Sequence, residues 1–265
     1  MPDSGIPDFF IPALRFGAES DFAGLGALLS ERVEFVSAVT GPTSGPDSVI
    51  SQLKAFQSAG RFSRAVSWAS RAAPAAIEVE AAFPSDSFYA RYVWEIALGS
   101  DGKADRIIQT GVAQTEPLAP SPVQLNAEID RALQIARESR NPLIVAYVNE
   151  KGEPSQAPRG TVQVFSKTQL AFWIHSRSGG LMKALASNKN LSLHYWGGIG
   201  TAFGGALLFQ GVAQVNEEEP TRRRIYEGSP LSEQRSDPDR AGAAVVVDLR
   251  RVSGFLAGTR YNMVS

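Results

Sequence analysis

The residues best placed to do chemistry sit in one stretch, "FWIHSRSGGLMKALASNKNLSLHYW", from Phe172 to Trp196. An aromatic-rich strand stops at a corner holding Arg177, Ser178, Gly179 and Gly180, becomes a short helix, and returns as a second alternating strand. Ser178 is suited to cap a helix whose first turn holds Gly179 and Gly180, where missing side chains leave backbone N–H groups uncovered. Lys183 follows about a turn later and Arg177 precedes the cap, so both can approach one charge, and Arg159 can converge from the neighbouring strand. A phosphate satisfies all of these groups. Such a corner is also simply how chains turn and stay hydrated, and the residue types alone leave both readings open.

Composition narrows the choices. With 26 Lys+Arg against 27 Asp+Glu, no whole-molecule field draws the chain to nucleic acid or anionic lipid, so any anion must be held locally. The absence of cysteine excludes disulfides, thiolate metal sites and a cysteine nucleophile, and fits a reducing compartment. The start, "MPDSGIPDFF", lacks the basic flank and apolar run of a signal peptide, and no apolar run approaches about 20 residues; a soluble cytoplasmic protein without membrane or nucleic-acid partners is expected.

The elements that must position the corner come in two groups. The stretch "QTEPLAPSPVQ" has three prolines and no hydrophobic period, so it reads as a stiff linker. Residues 1–115 then form one domain, 116–123 the proline-rich linker and 124–265 a second domain. In the first, Leu25, Leu28, Leu29 and Val33 recur at helical spacing before Val33, Phe35 and Val39 alternate as a strand. A turn with Asp47 or Ser48 as N-cap opens a helix with Val49, Leu53 and Phe56 on one face, closed by Gly60. Four alternating segments follow, "FSRAVSWASRAAP", "AAIEVEAAFPS", "FYARYVWEIALG" and "ADRIIQTGVAQ", predicting an α+β cone with a curled antiparallel sheet.

In the second domain, "NAEIDRALQIARES" predicts an amphipathic helix capped by Asn126, with Ile129, Ala132, Leu133 and Ala136 on one face. "PLIVAYV" reads as a strand buried on both faces, turned back by "NEKGEP". "RGTVQVF" and "LAFWIHS" predict a hairpin, "NLSLHYW" and "GGALLFQGVAQV" further strands, "EEPTRRRIYEGSP" a helix, and "GAAVVVDLRRVSGF" the closing strand of a small barrel. The loop Gly197–Gly205 lacks the strand and helix context of a dinucleotide fold, and Ser232–Gly242 is a polar loop able either to close over a cleft or merely to join helix to strand. Arg222, Arg223 and Arg224 behind three glutamates read as a solvated face laced with ion pairs.

With these residues set out, two resemblances stand. The order around "VEFVSAVTGPTSGPDSVISQL" resembles the NTF2-like superfamily, in particular its SnoaL-like members, over roughly residues 15 to 115. Catalytic members use an Asp, His or Tyr inside the cone; this half has no histidine, which leaves Asp21, Glu78, Glu80, Tyr92 and Glu95. Glu78 and Glu80 alternate with Ile77 and Val79 as a wet strand face, while Trp68, Tyr92 and Trp94 read as core aromatics. No chemistry is assigned there, and an isomerase or cyclase in the cone is the last-ranked alternative.

The second half resembles the pyridoxamine 5'-phosphate oxidase-like split-barrel family, which binds flavins, over roughly residues 124 to 255. The resemblance implies FMN in a cleft between two barrels of a homodimer. It places Arg159 at the start of the family's motif, Thr161, Val162 and Gln163 against the isoalloxazine, Trp173 and Ile174 at the next strand end, and Ser178, Gly179 and Gly180 at the phosphate corner. The family's Arg and Lys at that corner are both glycine here, the lysine ending the first motif is Val164, and a flavin-contacting glutamine is Ala206; Arg177 and Lys183 are the expected substitutes. The chain lacks the family's Arg-rich segment that holds the pyridoxal ring, which argues against pyridoxamine phosphate as substrate. The expectation is an FMN-dependent oxidoreductase acting on a small molecule, with no metal. Coenzyme F420 and haem are the alternative cofactors, a non-catalytic binding protein the alternative role, and His175 and His194 read as strand-end residues rather than haem ligands.

Overall fold

The computed structural model of the chain describes residues 22–37, 41–58, 64–73, 76–197 and 204–265. Asp21, Val39, Gly60 and the centre of the glycine-rich loop, 198–203, lie outside them, as does the side chain of Phe56. The chain divides into two units, one built mainly on residues up to Pro117 together with Ala257–Thr259, and one on most of the described residues from Leu118 onward.

In the first unit, α1 (Phe22–Ala27) is only six residues long and gives way to β1 (Leu29–Ser37), so the helical spacing that runs on to Val33 is cut short by the strand. A short strand β2 (Gly41–Ser44) pairs with it and leads into α2 (Pro46–Ser58). Gly45, at φ +86, makes the turn, and its carbonyl accepts from Val49 N at 3.0 Å. The helix therefore starts with Pro46 in its first position, and Asp47 and Ser48 fall inside the first turn rather than at the cap. Strands β3 (Ser67–Ala73), β4 (Ala76–Ala82), β5 (Tyr89–Leu98) and β6 (Ala104–Ala113) follow, in the order β2-β1-β6-β5-β4-β3. The sheet is not wholly antiparallel as expected: β1 and β6 run parallel, Phe35 opposite Ile107. Alternation sets its buried face, with Val33 and Phe35, Ile77 and Val79, and Trp94 and Ile96 packing under Val49 and Leu53 of α2.

The second unit opens with the two-residue strand β7 (Ser121–Pro122) and then α3 (Ala127–Glu138), where Asn126 Oδ1 accepts from Ile129 N at 2.9 Å and Ile129, Ala132, Leu133 and Ala136 are buried. Strands β8 (Leu143–Val148), β9 (Pro154–Arg159), β10 (Gln163–Ser166) and β11 (Gln169–Ile174) precede α4 (Gly180–Ser187). After it come β12 (Asn190–Gly197), β13 (Gly205–Asn216), α5 (Glu219–Glu227), α6 (Leu231–Ser236), β14 (Ala243–Leu256) and β15 (Thr259–Val264). The main path of the sheet is β10-β11-β14-β13-β12-β8-β9, with β15 beside β14 and β7.

The two ends of that path are consecutive in the chain: β9 ends at Arg159 and β10 begins at Gln163. Four Cα steps span at most about 14 Å, whereas a flat path of these strands would separate its ends by about 29 Å. The sheet therefore curls until its two edges approach each other.

Burial differs from the expectation in two places. The strand β8 is not buried on both faces; Leu143 and Val145 are buried and their neighbours partly exposed. The doubly buried strands are β11 and β14, because α5 covers their second face: Ile225 and Tyr226 pack on Ala171, Trp173, Ala244 and Val246. The polar segment Ser232–Gly242 is also not all loop, since its first part belongs to α6.

Candidate functional site

The Ser-Gly-Gly corner differs in detail from the sequence expectation. Gly179, at φ −69 and ψ 161, is the residue that precedes the helix, and no side chain caps it. Ser178 does not serve as the cap: its Oγ lies 3.2 Å from Ser176 Oγ. The first intrahelical bond is Lys183 N to Gly179 O at 3.1 Å, so the amides of Gly180, Leu181 and Met182 have no acceptor within α4. All three residues line a cavity of about 460 Å³.

Arg159 brings a second set of donors to the same cavity from the end of β9. Its Nη1 donates to Pro158 O at 2.8 Å, while its Nε is buried and has no hydrogen-bond partner. Burial lowers the guanidinium's proton affinity, and the negative charge of Glu233, on the cavity wall, opposes that effect. An arginine remains charged under such conditions, so a half-buried cation with one unsatisfied donor results.

Thr161, Trp173 and Ile174 also line the cavity. The Thr161 hydroxyl is fully used: it accepts from Trp173 N at 3.0 Å and donates to Trp173 O at 3.1 Å, fixing the end of β11 beside the β9–β10 connection. The indole of Trp173 is held by its Nε1 donating to Asp237 Oδ2 at 2.8 Å and by an edge contact with Tyr226 at 5.3 Å.

Other expected site residues lie elsewhere. Val162 is fully buried, and its carbonyl accepts from Arg137 Nη1 at 2.9 Å. Gln163 ties β10 to α5, donating from Nε2 to Ile225 O at 2.8 Å. Arg177 is not the substitute cation: it forms a forked pair with Glu217 at 2.8 and 2.9 Å, and its Nε donates to Ala241 O and Gly242 O. The hydrogen bonds that Arg177 donates to Glu217 raise its own proton affinity and lower that of Glu217, as expected of a satisfied pair. Lys183 is exposed on α4 and is not among the residues lining the cavity.

Tyr147, Ser176 and Glu233 are wall residues that sequence reasoning missed, and His175, read from the sequence as a strand-end residue rather than a haem ligand, also lines the wall. The one signal for Glu233 is its place in the polar segment Ser232–Gly242, for which the sequence leaves open closing over a cleft or merely joining helix to strand. In the first unit, Glu78 is held by Arg71 Nη2 at 2.6 Å and Glu80 lies 3.5 Å from Arg91 Nη1. Glu95 is exposed, and Tyr92 is buried beside Trp94 with its ring edge-on to Phe83. Among the described residues, no group of three or more His, Asp or Glu side chains is placed to hold a metal ion, and no helix is long and apolar enough to cross a membrane.

No family model and no curated protein matches the chain. Among solved structures it is similar to HupZ of Group A Streptococcus, at 15% identity over 51% of this chain and 98% of that one, with a TM-score of 0.39. A conserved hypothetical protein of Mycobacterium tuberculosis is similar at 16% identity over 53% and 91%, with a TM-score of 0.39. A Clostridium acetobutylicum protein related to general stress protein 26, of the pyridoxinephosphate oxidase family, is similar at 11% identity over 51% and 95%, with a TM-score of 0.35.

Proposed function

We propose that the cavity bounded by the end of β9 and the start of α4 binds FMN by its phosphate, and that the protein passes a hydride between this flavin and a small organic substrate. One observation carries the reading: the uncapped amides of Gly180, Leu181 and Met182 and the partnerless Nε of Arg159 belong to one cavity wall. The Arg159 Nε is a buried donor without an acceptor, which is costly, and a phosphate supplies several acceptors and the charge that both a helix start and a guanidinium favour. When bound, FMN supplies the redox chemistry itself.

The chain's own residues then have separate tasks. Arg159 and the three amides hold the anion, while Ile174, Leu181 and Met182 keep an apolar boundary around it. Thr161, by clasping Trp173, keeps the two strand ends that shape the cavity in register. The fold reading that accompanies this is a split barrel for the second unit, supported by a sheet whose edge strands are joined by only Gly160, Thr161 and Val162. We read the first unit as NTF2-like, on two helices and a six-stranded sheet, and assign it no chemistry. A homodimer formed through the barrel goes with this reading.

A second reading, haem in the same cavity, is favoured by His175 on its wall and opposed by that imidazole's pairing with Glu233 at 3.2 Å. Visible absorption spectra of the protein mixed in turn with FMN, coenzyme F420 and haemin separate the cofactors. The expected result is saturable uptake of FMN, weakened at least about tenfold by Arg159→Gln, as the loss of one charge-assisted contact implies. A haem or deazaflavin spectrum in its place, or no uptake at all, overturns the FMN reading. Oxidation of a reduced nicotinamide by the FMN-loaded protein distinguishes an oxidoreductase from a flavin-binding protein without turnover.

A further inference from the structure

The cavity that offers donors to an anion also holds a carboxylate. Glu233 of α6 lines it, with Oε2 3.2 Å from Nε2 of His175. Its charge acts on the Arg159 guanidinium. A methyl group added at Gly160 would stand 3.4 Å from its Oε1, so the carboxylate lies against the residue that follows Arg159. Arg159, His175, Glu233 and Tyr147 are the ionisable side chains lining this cavity among the described residues.

We propose that Glu233 is the cavity's built-in counter-anion and a specificity-determining residue. In the unloaded protein it supplies the negative charge that Arg159 and His175 face, and an anionic ligand enters only against that carboxylate or in exchange for it. The inference rests on the reading of the cavity as a phosphate site. Its consequence is a filter: a neutral ligand is indifferent to the charge on Glu233, whereas each negative charge on a ligand is opposed by it.

The exchange requires little disruption. The side chains of His175 and Glu233 are 38% and 36% exposed, so water competes for both and the pair contributes little to stability. The helix that carries Glu233 spans six residues and buries none of them. The residue after that helix is anchored, because Asp237 accepts from Ala241 N and Gly242 N at 2.9 Å and from Trp173 Nε1 at 2.8 Å. The moving part is therefore the glutamate side chain, rotating toward solvent on a fixed base.

Calorimetric titration of the full chain and of Glu233→Gln with inorganic phosphate, and with riboflavin as an uncharged probe, tests this. The expected result is a phosphate Kd lowered about tenfold by the substitution, the scale of one removed charge interaction at a half-exposed site. Riboflavin should bind no more tightly to the variant than to the wild type. If the wild type binds phosphate and the variant binds it equally or more weakly, Glu233 has no such role and the phosphate site stands. If riboflavin binding strengthens as much as phosphate binding, charge is not the cause and the proposal falls. Phosphate uptake by neither protein overturns both the proposal and the site reading beneath it.

Discussion

Replacing Asp237 with asparagine isolates the anchor on which one side of the candidate site depends. Asp237 is 7% exposed, and its carboxylate is the shared acceptor of three donors: Trp173 Nε1 at 2.8 Å, and Gly242 N and Ala241 N at 2.9 Å each. Oδ2 takes the first two and Oδ1 the third, so an amide of the same shape keeps at most one acceptor atom. The best orientation preserves two bonds without their charge assistance, about 1 kcal/mol weaker each, and turns an NH2 toward Ala241 N, losing about 2 kcal/mol more. Against that gross loss of about 4 kcal/mol stands the relief of no longer burying a charge. The net expectation is a loss of about 2 kcal/mol, read as a lowered midpoint in urea unfolding followed by tryptophan fluorescence.

The pH dependence of that difference has a defined sign. Burial, the largest single influence, pushes the Asp237 carboxyl up, but the donors from Trp173, Gly242 and Ala241 together with the nearby His175 outweigh it and hold the group below its ordinary value. A depressed folded value stabilises fully above the unfolded carboxyl range near about 3.9 and is lost as pH falls through the folded value. The gap between wild type and Asp237→Asn should thus be flat from about pH 7 to pH 5 and narrow below about pH 4. A gap under about 0.5 kcal/mol at neutral pH, within the range of ordinary surface substitutions, refutes the reasoning. So does a gap that widens on acidification.

Asn126→Ala removes the side chain that accepts from Ile129 N at 2.9 Å and should cost about 1 kcal/mol in the same unfolding assay, with no effect on cofactor uptake. Arg177→Gln should leave FMN affinity within about twofold of wild type in an absorption titration, because its donors are already satisfied by Glu217, Ala241 and Gly242; a tenfold loss would restore it as a phosphate ligand.

Sequence periodicity reached as far as local physics extends. In α3, the capping role of Asn126 and the apolar face of Ile129, Ala132, Leu133 and Ala136 are set by neighbours within the helix, and they were legible for that reason. The alternation in β12, with Leu191, Leu193 and Tyr195 buried and Ser192, His194 and Trp196 less so, was equally plain. The parallel pairing of β1 with β6 joins residues some seventy positions apart and leaves no local pattern. Burial of both faces of β11 and β14 depends on α5 folding back over them, which a period of two cannot announce. The same limit applied to the site. Arg177 has no acidic neighbour in local sequence, and the Glu217 that holds it lies forty positions away. Helix α6 has a single apolar residue, Leu231, and its Glu233 reaches the cavity by tertiary placement alone. Arg159, Gly179 and Gly180 could be brought together on paper because a helix start without side chains and an arginine at a strand end announce their chemistry by residue type.

The central claim, that the start of α4 and Arg159 receive the phosphate of a flavin, is tested most directly by the amide resonances of Gly180, Leu181 and Met182. In isotopically labelled protein titrated with FMN, the account predicts that these three signals move together, saturate with the cofactor, and need at least about tenfold more FMN to reach the same shift in Arg159→Gln. Shifts confined to residues outside the cavity, or three signals that do not move while FMN binds, would contradict it.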